Sequence, residues 1–530
     1  TLAFAARSSE REPFAIYTAS ATGTGCAKHP VINSTAAEGN GLLVHNFDPT
    51  FAPPDDAGVQ AIVFASTRGN LDDAAYDYTG PQRTPADPSK PNANLYVLEG
   101  SGGAARVRQL TYLLNMERQP SFMHDGRIIL TAEKRAPGFY QLAGRRINLD
   151  GGDYHPLFGQ RPSVSHGQMT EVVELADHNL AAIFSDPGAL HGGGTLGIVN
   201  RSVGIDFQSP RAADYLIDPS VLDPAAPASP EPTFFLRSLT FPDPGASGRP
   251  GEASTGVYKG PAALPGRKLL VSWGAAASLE AFGGDFDLYV VDPDSGARTK
   301  LLGDAGAAEV DAVAIYGRAP LGIFQSAPDE PNGVTRIRPD RKDTEVLYLD
   351  VPVLASLLFQ NTPTGRPLES KIESFDLYEE LPPTAEVTSA QSAGGFGYQD
   401  DFGAAYLRRR KVGSVPVSGD GSAKVRLPGG LPLQIKLPDT PEATASSWPR
   451  FQRESSFFYP GEAVRQSFRR GFFDGLCGAC HGSVSGRPVD VAVQPDILTQ
   501  ASAVEAKGRD ATNLDVAPGS RGAIEGPSTR

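Results

Sequence analysis

The sequence predicts a mainly β protein in which a long array of repeated β units precedes a smaller β-module and a short helical segment. Three observations lead to this prediction. Glycine (58) and proline (46) are abundant among the 530 residues, which favours turns and short strands over long helices. Short apolar runs of strand character recur along the first two thirds of the chain. A compact alternating pattern and a cysteine pair follow nearer the C-terminus.

The recurring runs predict the blades of a β-propeller. Each run is accompanied by a second strand pattern, and the unit returns at roughly 50 to 90 residues, which is typical of propeller blades. In "PSFMHDGRIILTAEKR" a hairpin turn is predicted at His124-Asp125-Gly126, and His178 is also predicted to lie in a turn. A β-sandwich array is the alternative interpretation. The runs cover residues 61–69, 127–135, 180–186, 268–274 and 321–326.

The stretch after the repeats predicts a compact β-module and then a helix. In residues 411–437 apolar residues flank a turn at Asp420-Gly421, and prolines at positions 416, 428 and 432 indicate strand ends or edge strands. Val464, Phe468 and Phe472 are spaced four apart, which predicts one apolar helix face directly before the cysteine pair.

The stretch "CGACH" predicts covalent attachment of haem. The thiols of Cys477 and Cys480 can add to the two vinyl groups of the porphyrin, and His481 then lies where its imidazole reaches the iron. Random placement of three cysteines and eight histidines in 530 residues would give this motif roughly 0.0003 times per chain. A zinc site would need further Cys or His ligands nearby, and a thioredoxin-like pair would need a βαβ context. One haem c is therefore the expected cofactor.

The sequence also resembles two known families. "DPTFAPPDDAGVQAIVFASTRG" and "QPSFMHDGRIILTAEKR" resemble blades of TolB-type β-propellers. The order "VGSVPVSGDGSAKVRLPGGLPLQIKL", "YPGE" and "CGACH" resembles the hydrazine synthase alpha-subunit family, in which a propeller precedes a β-module that ends in a c-type haem motif. The resemblance implies a TolB-like β-propeller, a small β-sandwich-like module and a short helical, cytochrome c-like haem segment.

Two departures from that family argue against hydrazine synthesis. The family carries a second haem motif, whereas this chain has no other cysteine pair. The active haem of the family uses a tyrosine shortly after the motif, and residues 482–485 here are Gly, Ser, Val and Ser. The resemblance therefore implies the architecture and the haem. The predicted domains are residues 1–35, an N-terminal extension; 36–350, the propeller; 351–445, the β-module; and 446–530, the haem-binding segment with a C-terminal tail.

The sixth iron ligand is predicted to come from the propeller or to be absent. No His follows His481, and all three methionines lie before residue 170. His166, Met169 and His191 are the candidates, because glycines beside His166 and His191 allow close approach of a ring. The haem would then lie between the propeller and the C-terminal module. An open position, or one filled by water, Tyr or Lys, is the alternative.

Composition restricts the function further. The net charge of −13 without a basic stripe argues against nucleic acid as a partner, and no apolar run is long enough to span a membrane. We expect a periplasmic or extracellular mono-haem c-type cytochrome that transfers electrons within or to a larger redox assembly, with a redox protein or a membrane-associated or extracellular complex as its partner. The alternatives are a secreted propeller that binds a partner and uses haem as a structural clamp, and a haem enzyme acting on a small molecule. Whether the protein is an enzyme stays open.

Overall fold

The computed structural model describes residues 1–35, 43–69, 92–158, 168–185, 190–199, 214–217, 234–237, 239–243, 255–317, 321–324, 326, 335–359, 369, 372–382, 391–401, 403–466, 512–517 and 522–525. Within these ranges the protein is mainly β, as the sequence predicts, with many sheets and two short α-helices. None of the described helices has the length and apolar character that crossing a membrane requires.

The N-terminal residues form a small antiparallel sheet that packs on the first repeat. Its strands are β1 (Leu2–Ala6), β2 (Ala15–Ala19) and β3 (Ala27–Lys28). Ile16 and Ile32 are fully buried and pack with Phe64 and Tyr96 of the following sheet. This apolar contact covers one face of the first repeat.

Antiparallel sheets then follow one another along the chain in a propeller-like arrangement. The first sheet contains β4 (Asn46–Phe51), β5 (Ile62–Ser66), β6 (Asn94–Glu99) and β7 (Arg106–Gln109). The second contains β8 (Glu117–Phe122), β9 (Ile128–Ala136), β10 (Phe139–Ile147) and β11 (His155–Phe158). The next group of strands contains β12 (Gln168–Glu174), β13 (Leu180–Ser185), β14 (Thr195–Val199) and β17 (Leu239–Thr240). One residue pair, Leu142 of β10 with Gln168 of β12, joins the two groups. Strands β15 (Asp214–Ile217) and β16 (Phe234–Arg237) pair with each other, and a further sheet contains β18 (Gly256–Ala263), β19 (Leu269–Ala275), β20 (Asp287–Val291) and β21 (Arg298–Leu302).

Four of the five apolar runs predicted as strands are strands, namely β5, β9, β13 and β19. The fifth prediction, at residues 321–326, is wrong, because none of its described residues lies in a strand. These residues pack beside the turn between β8 and β9 instead. The Phe324 ring lies 4.7 Å from the Arg127 guanidinium, and a Cβ on Gly126 would be 2.1 Å from the Gly322 carbonyl oxygen. The apolar character of this run therefore serves packing against a turn.

Strands β4, β8, β12 and β18, each of which begins one repeat, contain a bulge at the same position. We call Asp48, Gln119, Glu171 and Gly260 the bulge series. All four have a positive φ, between 49° and 56°, and strand pairing slips by a residue beside each of them. The repetition of a costly backbone conformation shows that the sheets are structural repeats.

Hydrogen bonds connect the bulge series from one sheet to the next. The Gln119 amide N–H donates to Asp48 Oδ2 at 3.0 Å. The Glu171 N–H donates to Gln119 Oε1 at 3.1 Å, and the Gly260 N–H donates to Glu171 Oε2 at 2.6 Å. A residue at a bulge has a backbone N–H without a partner on the neighbouring strand. In this series the side chain of the preceding bulge residue accepts a hydrogen bond from that N–H. Burial raises the pKa of Asp48 to about 6, against the opposing charge of Arg118.

The C-terminal part of the described chain forms two larger sheets. The first has the order β22 (Thr335–Ile337), β30 (Glu462–Gln466), β23 (Asp343–Tyr348), β28 (Ala423–Pro428) and β31 (Leu514–Asp515); the second has the order β29 (Leu433–Lys436), β24 (Ser374–Glu380), β27 (Arg409–Pro416) and β32 (Ile524–Glu525). Strands β25 (Gly397–Asp400) and β26 (Gly403–Tyr406) form a separate hairpin. The α-helices are α1 (Val351–Leu358), whose first turn is capped by the Asp350 carboxylate, and α2 (Pro441–Ala445).

The two sheets share one apolar core. Val346 and Val425 from the first sheet, and Leu377, Val415 and Ile435 from the second, belong to the same buried cluster. The turn predicted at residues 420–421 is present, with Gly421 at φ +86°. The strands that it joins, β27 and β28, lie in different sheets, and each ends at a proline as predicted. The predicted domain boundaries stay predictions.

The helix predicted from Val464 is wrong at that residue. Val464 lies in strand β30, opposite Val346 of β23 and Thr335 of β22, and is buried in the shared core. A β-branched side chain between two strands stabilises the sheet by packing against its neighbours. This packing outweighs the helix preference that a pattern of three apolar residues indicates. Phe468 and Phe472 lie outside the described residues.

Candidate functional site

The predicted haem-attachment residues Cys477, Cys480 and His481 lie outside the described residues. The structure does describe the chain on both sides of them. Strand β30 ends at Gln466, and the chain is described again from residue 512, where β31 joins the same sheet as β30. The predicted motif therefore lies in a segment that starts and ends on one sheet.

Two of the three candidates for the sixth iron ligand are described. Met169 is buried on β12 in an apolar cluster with Met123, Ile129 and Phe184. His191 is exposed in a short 3-10 turn with φ +57°, and its ring centroid lies 5.9 Å from that of Phe282. His166 lies outside the described residues. These assignments stay predictions.

The functional candidate that the structure itself shows is a charged contact between the second propeller-like sheet and the segment just before the predicted haem residues. We call this contact the seam; it is formed by β9, β10 and the loop between β10 and β11 on one side, and by residues 400 and 453–462 on the other. Glu454 lies at its centre. Its carboxylate is 3.3 Å from Lys134 Nζ and 2.9 Å from Arg145 Nη2, and it also pairs with Arg453.

The charges at the centre of the seam are withdrawn from water. The side chain of Lys134 is 1% exposed, that of Arg145 5% and that of Glu454 14%. Burial alone would raise the pKa of Glu454, but the charges of Lys134, Arg453 and Arg145 outweigh burial and hold this pKa at about 2. Glu454 is therefore ionised at any physiological pH and compensates the surrounding cations.

A second seam carboxylate has the opposite electrostatic character. Glu462 is buried and accepts hydrogen bonds from Thr335 Oγ1 at 2.6 Å, from the Asp153 amide at 3.0 Å and from the Tyr459 amide at 2.8 Å. Burial raises the pKa of Glu462 to about 7, because its effect exceeds that of the hydrogen bonds, which by themselves would lower the pKa. The seam therefore holds one carboxylate that is always charged and one that gains or loses a proton near neutral pH.

Aromatic rings fill the space beside these charges. Phe457 lies 4.2 Å from the ring of Tyr154 and 5.6 Å from that of Tyr112, measured between centroids. The Tyr459 hydroxyl accepts from Arg108 Nη1 at 2.7 Å. A Cβ on Gly151 would be 2.3 Å from the Tyr459 ring, so this glycine is needed for the close approach. The arrangement fixes the segment before the predicted haem motif rigidly against the propeller-like part.

Sequence reasoning missed the seam residues. One feature of the sequence does point to the seam. In "ILTAEKRA" the charged residues Glu133, Lys134 and Arg135 interrupt an apolar strand pattern, and all three are buried. Charged residues are almost never fully buried unless they are paired. Arg135 has such a partner in Asp400, at 2.5 Å, but that carboxylate lies 265 residues away and no local pattern identifies it.

Comparison with known proteins supports a distant structural relationship. No protein-family model matches the chain, and no curated protein sequence matches it. A solved structure of Kuenenia stuttgartiensis hydrazine synthase is similar, with a TM-score of 0.58 and 14% sequence identity, over 95% of this chain and 64% of that chain. This chain thus spans less than two thirds of that protein chain, and the likeness shows a shared fold. The Hadza microbial sialidase Hz136 matches with a TM-score of 0.29 at 13% identity, over 56% of this chain and 54% of that chain, which carries no argument.

Proposed function

We propose that this protein is an exported c-type cytochrome with one haem, which transfers electrons within or to a larger redox assembly. The observation that carries the proposal is the sequence Cys477-x-x-Cys480-His481. Two thiols at this spacing match the two vinyl groups of haem, and the next imidazole is the common proximal ligand of haem iron. A haem held in this way supplies one-electron iron chemistry.

The fold agrees with this proposal. The similarity to a hydrazine synthase structure extends over 95% of the chain, and the finer interpretation is a TolB-like propeller, a β-sandwich-like module and a haem segment of cytochrome c type. The seam holds the strand that leads to the motif, β30, against the propeller-like part through Glu462 and Tyr459. A fixed position of β30 favours electron transfer, since it anchors the start of the segment in which we propose that haem is attached. The partner is a redox protein or complex outside the cytoplasmic membrane.

Haem attachment is tested by producing the chain in a host that matures c-type cytochromes. We expect an intact mass equal to the chain plus one haem, and haem that stays with the protein in a denaturing gel. Replacing both Cys477 and Cys480 with Ala should abolish retention, because no thioether remains. Cys26→Ala is the matched control and should retain haem, since Cys26 is an exposed free cysteine. A mass equal to the bare chain would refute the proposal.

The electron-transfer role is separated from the alternatives by spectroscopy on the same preparation. We expect the haem to be reduced by a small-molecule donor and reoxidised by an acceptor reversibly, in a one-electron titration. A haem that is attached but cannot be cycled would indicate a structural clamp in a binding protein. Binding of carbon monoxide to the reduced iron would show an open sixth position, and binding that is unchanged by replacement of His166, Met169 and His191 would exclude all three as ligands.

A further inference from the structure

The turns at the tips of two neighbouring propeller-like repeats bring two histidines and a glutamate together. His124 lies in the turn between β8 and β9, Glu174 ends β12, and His178 lies in the turn between β12 and β13. His124 Nδ1 is 2.7 Å from Glu174 Oε2, and His178 Nδ1 is 3.2 Å from Glu174 Oε1. We propose that these three residues bind a divalent transition-metal ion, and that zinc fits them best.

The spacing of the three side chains suits a single ion. One ligand atom from each residue lies within 4.8 Å of the others. Zinc binds nitrogen and carboxylate oxygen at about 2.0–2.2 Å, so two ligands at a tetrahedral angle are about 3.3 Å apart. The two nitrogen–oxygen separations, 2.7 Å to Oε2 and 3.2 Å to Oε1 of Glu174, are close to this value. Binding one ion therefore requires the two exposed imidazoles to turn toward a common point above the carboxylate.

The donor types and their exposure also suit zinc. Two imidazoles and one carboxylate form a ligand set that zinc accepts readily and that magnesium and calcium do not, because those ions prefer oxygen ligands. The side chain of Glu174 is 1% exposed, whereas those of His124 and His178 are 43% and 63% exposed. The ion can thus enter from solvent, rest above a buried carboxylate and keep a fourth position open.

The backbone at His178 supports a role for its imidazole. His178 has φ +65°, and Gly126 takes the equivalent place in the previous turn with φ +83°. The turns are equivalent because the N–H of each residue donates to the carbonyl three residues earlier, at Leu175 and at Met123, both at 2.9 Å. A residue with a side chain is strained in this conformation. The fold therefore places an imidazole where glycine would be unstrained.

Two arginines beside the turns oppose an incoming metal ion only weakly. The Arg127 guanidinium is 2.7 Å from Asp125 Oδ2, and that of Arg267 is 3.0 Å from Asp177 Oδ2. Each flanking arginine is thus paired with a carboxylate of its own. The buried Glu174 carboxylate lies beside the two imidazoles, so a divalent cation meets oxygen and nitrogen donors at one place.

The test is a calorimetric titration of the full chain with zinc chloride, in a Cys26→Ala background that removes the exposed thiol. We expect one zinc per chain. The variants His124→Ala, Glu174→Gln and His178→Gly should each weaken binding by at least about tenfold, since even partners that only orient a metal ligand contribute this much. His178→Gly relieves backbone strain, so weaker binding in that variant cannot be attributed to unfolding.

Arg267→Gly is the matched control. Arg267 has φ +62° and precedes Lys268, whose carbonyl accepts from the Leu264 N–H as the Asn179 carbonyl accepts from that of Leu175, both at 2.8 Å. This change therefore relieves a similar strain without removing a ligand. Zinc affinity should stay the same or rise, because a nearby positive charge is lost. Zinc binding of equal strength in the parent and all three ligand variants would place the ion elsewhere and overturn the proposal, as would the absence of binding in the parent.

Discussion

Replacing Glu454 with Gln is expected to lower the free energy of unfolding by about 3–5 kcal/mol, the range measured when one partner is removed from a buried ion pair. The change keeps the shape of the side chain and removes its charge. Lys134 and Arg145, which are 1% and 5% exposed, are then left in a poorly hydrated seam without the carboxylate that compensates them. Urea denaturation followed by circular dichroism measures the loss, read from the transition that unfolds the seam.

Two comparisons make this prediction specific. Asp294→Asn removes a carboxylate whose ion pair with Arg267 is exposed, at 69% and 52%, and should change stability by less than about 1 kcal/mol. The double variant Glu454→Gln, Lys134→Met should be more stable than Glu454→Gln alone, because the Lys134 charge is removed together with the carboxylate that compensates it. A loss below about 1 kcal/mol for Glu454→Gln would show that the seam cations are hydrated or otherwise compensated.

The stability of the protein is expected to fall as the pH rises from about 4.5 to about 7. Burial raises the pKa of both Glu133 and Glu462 from 4.5 to about 7. Below pH 4.5 both carboxyl groups are protonated in the folded and the unfolded chain. Between the two values the unfolded chain releases the proton while the folded chain retains it, so stability decreases by up to about 3 kcal/mol for each group.

The pH dependence is measured by denaturation at a series of pH values. Glu462→Gln and Glu133→Gln should each flatten the slope between pH 5 and 7.5, since neither side chain titrates. Glu454→Gln is the control and should leave this slope unchanged, because the stability contributed by Glu454 is present above pH 4.5 and is lost only as the pH falls towards 2. Equal slopes in all four proteins would contradict the raised pKa values.

Local sequence patterns predicted the strands of the propeller-like part but not what joins them. Runs such as that of β9 combine strand propensity with a hairpin turn at residues 125–126, and both signals act over a few residues. The bulge series, by contrast, depends on hydrogen bonds between residues 52 to 89 positions apart. The sequence shows only that Pro49 and Pro120 follow two of the bulge residues, which is too little to identify a bulge.

The wrong helix prediction at Val464 and the missed seam also result from contacts between distant residues. Val464 was assigned to a helix from a pattern of three residues, but its neighbours in the structure are Val346 and Thr335, which are more than a hundred residues away. The seam also depends on such distant partners, as the pair of Arg135 with Asp400 shows. The haem motif could be predicted from the sequence because the chemistry that it would perform requires adjacent residues, and it stays a prediction.

The order of strands in the first C-terminal sheet bears on how this fold tolerates change in its chain length. Strand β30 runs parallel to β23, which is antiparallel to β28, and β31 runs parallel to β28. The chain thus leaves β30 and enters β31 at the same end of the sheet, across three strand spacings or about 14 Å. In topological terms the segment between these two strands is an insertion, and each doubling of its length adds only about 0.6 kcal/mol of closure entropy. This end of the sheet can therefore accept a longer or shorter segment while the strands around it keep their pairing.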